Sequence, residues 1–124
     1  MPEPVNIPEG KRPRPVDDPE CPVARTIYAI GGKWKMLVLR TLLLDGAQRY
    51  NQLLDHVPGI SPKELTRNLR ELEIDGFVRR AEHNGGAHVE YTLTATGADL
   101  MPAFKALLPI GLRLAAGRVR RRHS

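Results

Sequence analysis

Internal disulfides, zinc ribbons and paired-cysteine redox motifs are excluded for this chain, because its 124 residues include one cysteine, Cys21. Only an intermolecular bond remains open to that thiol. No apolar run approaches the ~18 residues a membrane-spanning helix requires, and the proline-rich, acidic start lacks the basic-then-apolar order of a signal peptide. These absences set the expectation of a cytoplasmic protein with no membrane partner. The histidines His56, His83, His88 and His123 show no zinc spacing with a second ligand pair. No glycine-rich loop is placed to cradle a phosphate, and Cys21 has no histidine near it in sequence. No metal, no cofactor and no enzymatic activity are therefore expected.

What is present suits one small domain with tails: 41% of residues are hydrophobic and 27% charged. The net charge of +5 is unevenly placed. Residues 1–20 hold three cations and five anions, residues 21–117 hold twelve and nine, and residues 118–124 hold four cations alone. A moderate, local basic excess favours a polyanionic partner that meets particular surfaces, with counterion release adding to affinity.

The most informative stretch is Ser61 to Gly76, SPKELTRNLRELEIDG. Ser61 is placed as an N-cap, Pro62 stands at the first helical position where its missing N–H costs nothing, and Glu64 closes a capping box. Gly76 supplies the stop. At ~100° per residue, Leu65, Leu69 and Leu72 share one stripe, whereas Lys63, Arg67 and Arg70, with Thr66 beside them, lie almost opposite. Glu64, Asn68, Glu71 and Asp75 form a strip between. Arg, Lys and Thr are residue types that bond phosphates and base edges in the major groove, so this reads as a DNA-reading helix. A solvated amphipathic helix with i,i+4 ion pairs would show the same face, and the flanks decide between them.

Residues 1–20 contain six of the eleven prolines and no apolar periodicity, which reads as an extended arm. Cys21 and Pro22 open a first helix with Val23, Ile27 and Ile30 as its buried stripe, ended by Gly31 and Gly32. The helix dipole there favours the thiolate of Cys21, and Asp17, Asp18 and Glu20 oppose it, so a reactive sensor and a small buried hydrophobe both stay open. Lys33 to Leu44 repeats the helical spacing with Trp34, Leu37, Val38, Thr41 and Leu42. Ala47 to Tyr50 suits a small strand, after which Asn51 caps a brief helix bearing Leu53, Leu54 and Val57. The tight Pro58-Gly59-Ile60 turn then joins that helix to the one opened by Ser61, a helix-turn-helix arrangement. Phe77 to His83 and Ala87 to Leu93 read as two strands around the turn at Asn84, Gly85 and Gly86, the wing of a winged helix. Arg79, Arg80, His83 and His88 are its available donors. Thr94 can cap a last helix in which Leu100, Phe104, Leu107, Leu108 and Leu112 exceed what a small core requires, which suggests a partner chain. Pro102 and Pro109 predict a kink or break within it.

From Cys21 to about Leu112 the chain resembles the HxlR-type family of winged-helix bacterial transcription regulators. The resemblance rests on Cys-Pro-Val at 21–23, Gly-Gly-Lys-Trp-Lys at 31–35, Arg-Tyr-Asn-Gln-Leu at 49–53, Gly-Ile-Ser at 59–61, Leu-Arg-Glu-Leu-Glu at 69–73, Asp-Gly-Phe-Val at 75–78 and Val-Glu-Tyr-Thr-Leu-Thr at 89–94. Ile110 departs from it, standing where the family often has tryptophan. The resemblance implies a homodimer whose first and last helices build the interface and whose paired helices bind an inverted-repeat operator in double-stranded DNA. Some members of the family sense electrophiles or oxidants through a cysteine at the position that Cys21 matches, which makes Cys21 the candidate sensor here, with a small-molecule or electrophile effector.

The expected fold is thus α+β, mainly α: a winged helix-turn-helix with a small β-hairpin wing and added N- and C-terminal dimerisation helices. Residues 1–20 form an arm, 21–117 the DNA-binding and dimerisation domain, and 118–124 a basic tail. The candidate DNA-contacting residues are Arg49, Asn51, Ser61, Lys63, Thr66, Arg67, Arg70, Arg80, His83 and His88, and the candidate sensor is Cys21. A protein-interaction module on the same scaffold, without DNA readout, is the alternative, since a fold does not determine a function.

Overall fold

The computed structural model describes residues 21–123, with side chains described from 21 to 117. The arm at 1–20 and the side chains of the basic tail lie outside the described residues. The chain runs α1 (Pro22–Ile30), α2 (Lys33–Asp45), β1 (Gln48–Arg49), α3 (Tyr50–His56), α4 (Pro62–Ile74), β2 (Val78–His83), β3 (His88–Leu93), α5 (Ala95–Ala98) and α6 (Met101–His123).

The core is a three-helix cluster with the sheet against its side. Val38, Leu39 and Leu42 of α2, Leu53 of α3 and Leu65, Leu69 and Leu72 of α4 are buried together, joined by Val57, Ile60, Phe77 and Val78. These are the apolar positions that helical spacing places on inward faces, with Leu39 added to the expected α2 stripe. Trp34 is half-buried and packs against this core. The wing is antiparallel, in the order β1-β3-β2. Val78 pairs with Leu93 and His83 with His88, while Arg49 of β1 faces Glu90 on the other edge of β3. Tyr91 and Leu93 pack against the core, which fixes the hairpin to the helices.

Four expectations change. Asn51 does not cap α3: the helix begins at Tyr50 after Arg49, whose backbone N–H donates to the Gln52 side chain at 2.8 Å. Asn68 is not on a surface strip but buried, its amide donating to the Glu64 carbonyl one turn back at 2.6 Å. The α1 stripe is largely uncovered, with Ile30 buried but Val23 63% and Ile27 57% exposed. The helix after Thr94 is two helices. Thr94 caps α5, and the chain breaks at Asp99 and Leu100 before α6, where Pro102 has no N–H to continue the ladder from Ala98. Pro109 lies inside α6, and α6 runs on to His123, through the backbone of the segment read as a tail.

The span Ala95–Gly117 is long and apolar enough to cross a membrane by length and composition, with a mean hydropathy of 1.3 over its most apolar window. Its Lys105 and Arg113 argue against that use, since a cation near the bilayer centre costs about 2.5–3.5 kcal/mol even on insertion scales. Exposed apolar faces on α1 and α6 suit a protein partner better.

Gly97 shows how closely α5 meets the sheet. A Cβ at this buried position would collide with the Phe77 carbonyl oxygen and press on the Leu93 side chain. That carbonyl already accepts the Thr94 N–H at 3.1 Å and lies in the turn joining α4 to β2, so it has little room to yield. Gly97→Ala should therefore lower stability by about 1–3 kcal/mol, read from the urea midpoint. An unchanged midpoint would mean that α5 shifts freely.

Candidate nucleic-acid interface

Helix α4 is built from both ends. The Ser61 hydroxyl accepts from the Glu64 N–H at 3.1 Å, the Glu64 carboxylate accepts from the Ser61 N–H at 3.2 Å, and Pro62 occupies the first helical position. At the other end the chain turns at Gly76, with φ +84°, and the Phe77 N–H closes onto the Leu72 carbonyl at 2.9 Å. With its leucines buried, the helix presents Pro62, Lys63, Thr66, Arg67, Arg70 and Glu71 around one open, shallow groove. All four candidates of the recognition face thus come together, and Ser61 stands at their N-terminal edge.

Two acids of α4, Glu64 and Glu71, are engaged by partners. Glu64 is folded into the capping box, and its carboxyl is held below the ordinary carboxylate range. The hydrogen bond from the Ser61 side chain contributes most, then the Ser61 backbone, with smaller help from the Trp34 indole and Arg67 against a weak opposing effect of burial. Glu71 is shared: one oxygen lies 3.4 Å from Lys35 Nζ of α2 and the other 4.0 Å from Arg67 Nη1. Lys35 is only 13% exposed, so it neutralises Glu71 from behind. Lys63 and Arg70 are exposed and make no ion pair with any described residue.

The remaining candidates group elsewhere, on the sheet. Arg49 Nε donates to His88 Nε2 at 3.3 Å, and His83 and His88 lie 3.4 and 3.3 Å from the same Glu90 oxygen, their rings edge-on at 5.5 Å. Arg80 is engaged within β2 and β3. The Tyr91 hydroxyl does most to stabilise its charged form, which burial slightly opposes and the Glu82 carboxylate, 2.7 Å away, further favours. Arg80 and His83 therefore carry carboxylate partners that a phosphate would have to displace, whereas Arg79 is exposed and makes no ion pair with any described residue. Asn51 is exposed in the first turn of α3 with no cap to make.

Cys21 is half-buried at the N-cap of α1, where its sulfur accepts the Ala24 N–H at 3.4 Å. Among the described residues no group of three or more His, Cys, Asp and Glu side chains is arranged to hold a metal ion. Two contributors escape a reading of residue types and spacing: Lys35, whose partner lies on another helix, and Tyr50, whose hydroxyl reaches Pro62 and Thr66 from α3. Only their folded positions bring them to the site.

The HxlR-like helix-turn-helix family model matches residues 29–116. An uncharacterized HTH-type transcriptional regulator of Synechocystis is 40% identical over 92 residues, which cover 73% of this chain and 67% of that protein. Among solved structures, the redox regulator HypR in its oxidized form is similar with a TM-score of 0.67 and 39% identity, covering 75% of this chain and 96% of that one. Quinone-bound YodB from B. subtilis is similar with a TM-score of 0.64 and 29% identity, covering 75% of this chain and 99% of that one.

The capping box has a pH signature. Because the folded Glu64 carboxyl ionises at lower pH than its unfolded counterpart, the stabilisation is complete above the ordinary value of ~4.3 and is lost as pH falls through the lowered folded value. Glu64→Gln should differ from wild type at pH 7 and converge with it in acid, followed by thermal unfolding in a pH series. Ser61→Ala should cost about 1 kcal/mol at neutral pH. A constant gap between wild type and Glu64→Gln down to pH ~3 would show that the carboxylate's charge is irrelevant to the cap.

Proposed function

Since the chain belongs to the HxlR-like helix-turn-helix family, we propose that it is a DNA-binding transcriptional regulator acting as a homodimer. Each protomer inserts α4 into the major groove at one half of an inverted-repeat operator. The observation that carries this reading is the sorted α4 surface: Lys63, Thr66, Arg67 and Arg70 line one groove while Glu64 and Glu71 are held by partners. Two uncompensated cations, Lys63 and Arg70, suit phosphates and guanine edges.

Dimerisation is supported by apolar surface the protomer leaves open. Tyr28 joins Val23 and Ile27 on α1, and Leu108, Leu112 and Leu114 on α6 are each more than 60% exposed. Burying such faces between two copies would set the spacing of the paired α4 helices, which an operator reads as half-sites about 34 Å apart.

Arg67→Ala and Arg70→Ala should each weaken binding to operator fragments selected from the source genome. The expected loss is ~1–3 kcal/mol where the side chain reads a base, with thermal unfolding unchanged. Wild-type binding should fall steeply between low and moderate salt. Mobility shifts for both variants that match wild type would remove the assignment, and salt-insensitive binding to a protein with none to DNA would favour an interaction module.

We extend the reading to Cys21 as a covalent sensor. HypR is by name a redox regulator and YodB was solved with a quinone bound, and here the sulfur is partly accessible beside the open apolar face of α1. Addition of the thiolate to an electrophilic quinone carbon forms one C–S bond, and the ring takes up the electron pair and a proton. The added ring would wedge the proposed interface and change the spacing of the α4 helices. Benzoquinone should therefore release wild-type protein from its operator and leave Cys21→Ser bound. Equal release of both would assign any response to another group.

A further inference from the structure

Tyr50 packs partly buried against the core, and its hydroxyl is the one side-chain bridge from α3 to the exposed side of α4 among the described residues. It lies 2.9 Å from the Pro62 carbonyl oxygen and 3.0 Å from Thr66 Oγ1. Proton bookkeeping settles the direction of both bonds. A phenol has one O–H, and a carbonyl oxygen only accepts, so Tyr50 donates to Pro62. Were its proton turned to Thr66 instead, two lone-pair-bearing oxygens would face each other at 2.9 Å with no hydrogen between them. In the second contact Thr66 is consequently the donor and the phenolic oxygen the acceptor.

Thr66 is exposed in the groove between Lys63 and Arg70. A threonine hydroxyl ordinarily serves as donor or acceptor as the base demands, and for that reason tells little about sequence. Here its single proton is spent on Tyr50. Only lone pairs and the γ-methyl remain for the groove. In the major groove the exocyclic amino groups of adenine and cytosine donate, whereas guanine O6 and thymine O4 only accept.

We propose that Tyr50 is a positioning residue that holds Thr66 as an acceptor-only reader, so that one base position in each half-site must offer an amino group: adenine or cytosine, and not guanine or thymine. This rests on the DNA-reading role of α4 and adds to it the polarity of one contact. Tyr50 touches no base. It acts by fixing where the Thr66 proton points.

The test is selection from a duplex library with randomised sequence, by wild type, Tyr50→Phe, Thr66→Val and Thr66→Ser. Wild type should show one position per half-site favouring adenine or cytosine by roughly tenfold, the worth of one hydrogen bond made against one refused. Thr66→Val should lose that preference at that position, and Thr66→Ser should keep it. In Tyr50→Phe the released hydroxyl proton can serve guanine or thymine, so the preference should collapse there while the rest of the selected sequence stays. A duplex carrying purine in place of adenine at that position should bind wild type roughly tenfold more weakly. A selected sequence identical in Tyr50→Phe and wild type overturns the inference, as does a wild-type preference for guanine or thymine at the position Thr66→Val changes. Thr66→Val, an exposed substitution, keeps the test open should Tyr50→Phe fold poorly. A wild-type protein that enriches no sequence sinks the DNA-reading role itself, an outcome distinct from a motif that is present but indifferent to Tyr50.

Discussion

Burial of three leucines on α4 is the constraint from which the rest of the molecule follows. Leu65, Leu69 and Leu72 are at most 2% exposed, packed with Val38, Leu39 and Leu42 of α2, Leu53 of α3 and Val57 just after it. At about 1.5–3 kcal/mol per fully buried leucine, turning α4 about its axis by even a quarter would forfeit more than any surface contact returns. The azimuth of the helix is therefore decided from inside. Lys63, Thr66, Arg67 and Arg70 face outward because the leucines cannot.

A fixed azimuth would be of little use if the acids of α4, which match its cations in number, cancelled them. Glu64 and Glu71 are each engaged by a different local device. Glu64 turns back to the Ser61 N–H and so also completes the helix start. Glu71 is drawn between Lys35 and Arg67. Asn68, buried next to the leucines, satisfies its amide N–H on the Glu64 carbonyl. The wing is treated oppositely, with Glu82 and Glu90 set against Arg80, His83 and His88. Lys63 and Arg70 on the helix, and Arg79 on the sheet, are left without an ion pair to any described residue.

The helices that flank this unit obey a different economy. The core is closed by α2, α3, α4 and the sheet, with Leu100 from the turn before α6, leaving α1 and α6 few inward positions to fill: Ile30 and part of Ala29 and Phe104. Their other apolar side chains remain outside, along a helix of 23 residues that is roughly 34 Å long. Met36, Leu37, Leu43 and Leu44 of α2 line a groove with Phe104, Leu108 and Leu112 of α6, so the open apolar surface is continuous with the recognition unit. Cys21 stands at the start of α1, the helix whose Val23 and Ile27 are exposed.

Much of this was determined by the sequence alone, wherever the deciding atoms lie within a turn of each other. Ser61, Pro62 and Glu64 specify the start of α4, Gly76 its end and the 65-69-72 spacing its buried side, because capping and periodicity are short-range geometry. The hairpin between Val78 and Leu93 followed from alternation and a turn in the same way, and seven ordered segments already pointed to the family. The tertiary structure decided what depends on distant neighbours. Val23 and Ile27 have helical spacing but nothing in the protomer to cover them, and periodicity reports which side is apolar, not whether anything meets it. Asn68 reads as surface polar until the packing of α4 encloses it. Arg49, not Asn51, precedes α3 because pairing with Glu90 in the sheet holds that residue extended. Lys35 against Glu71, and Tyr50 against Thr66, join residues from separate helices. Such contacts leave no mark at short range, since they exist only once burial of the leucines has brought those helices together.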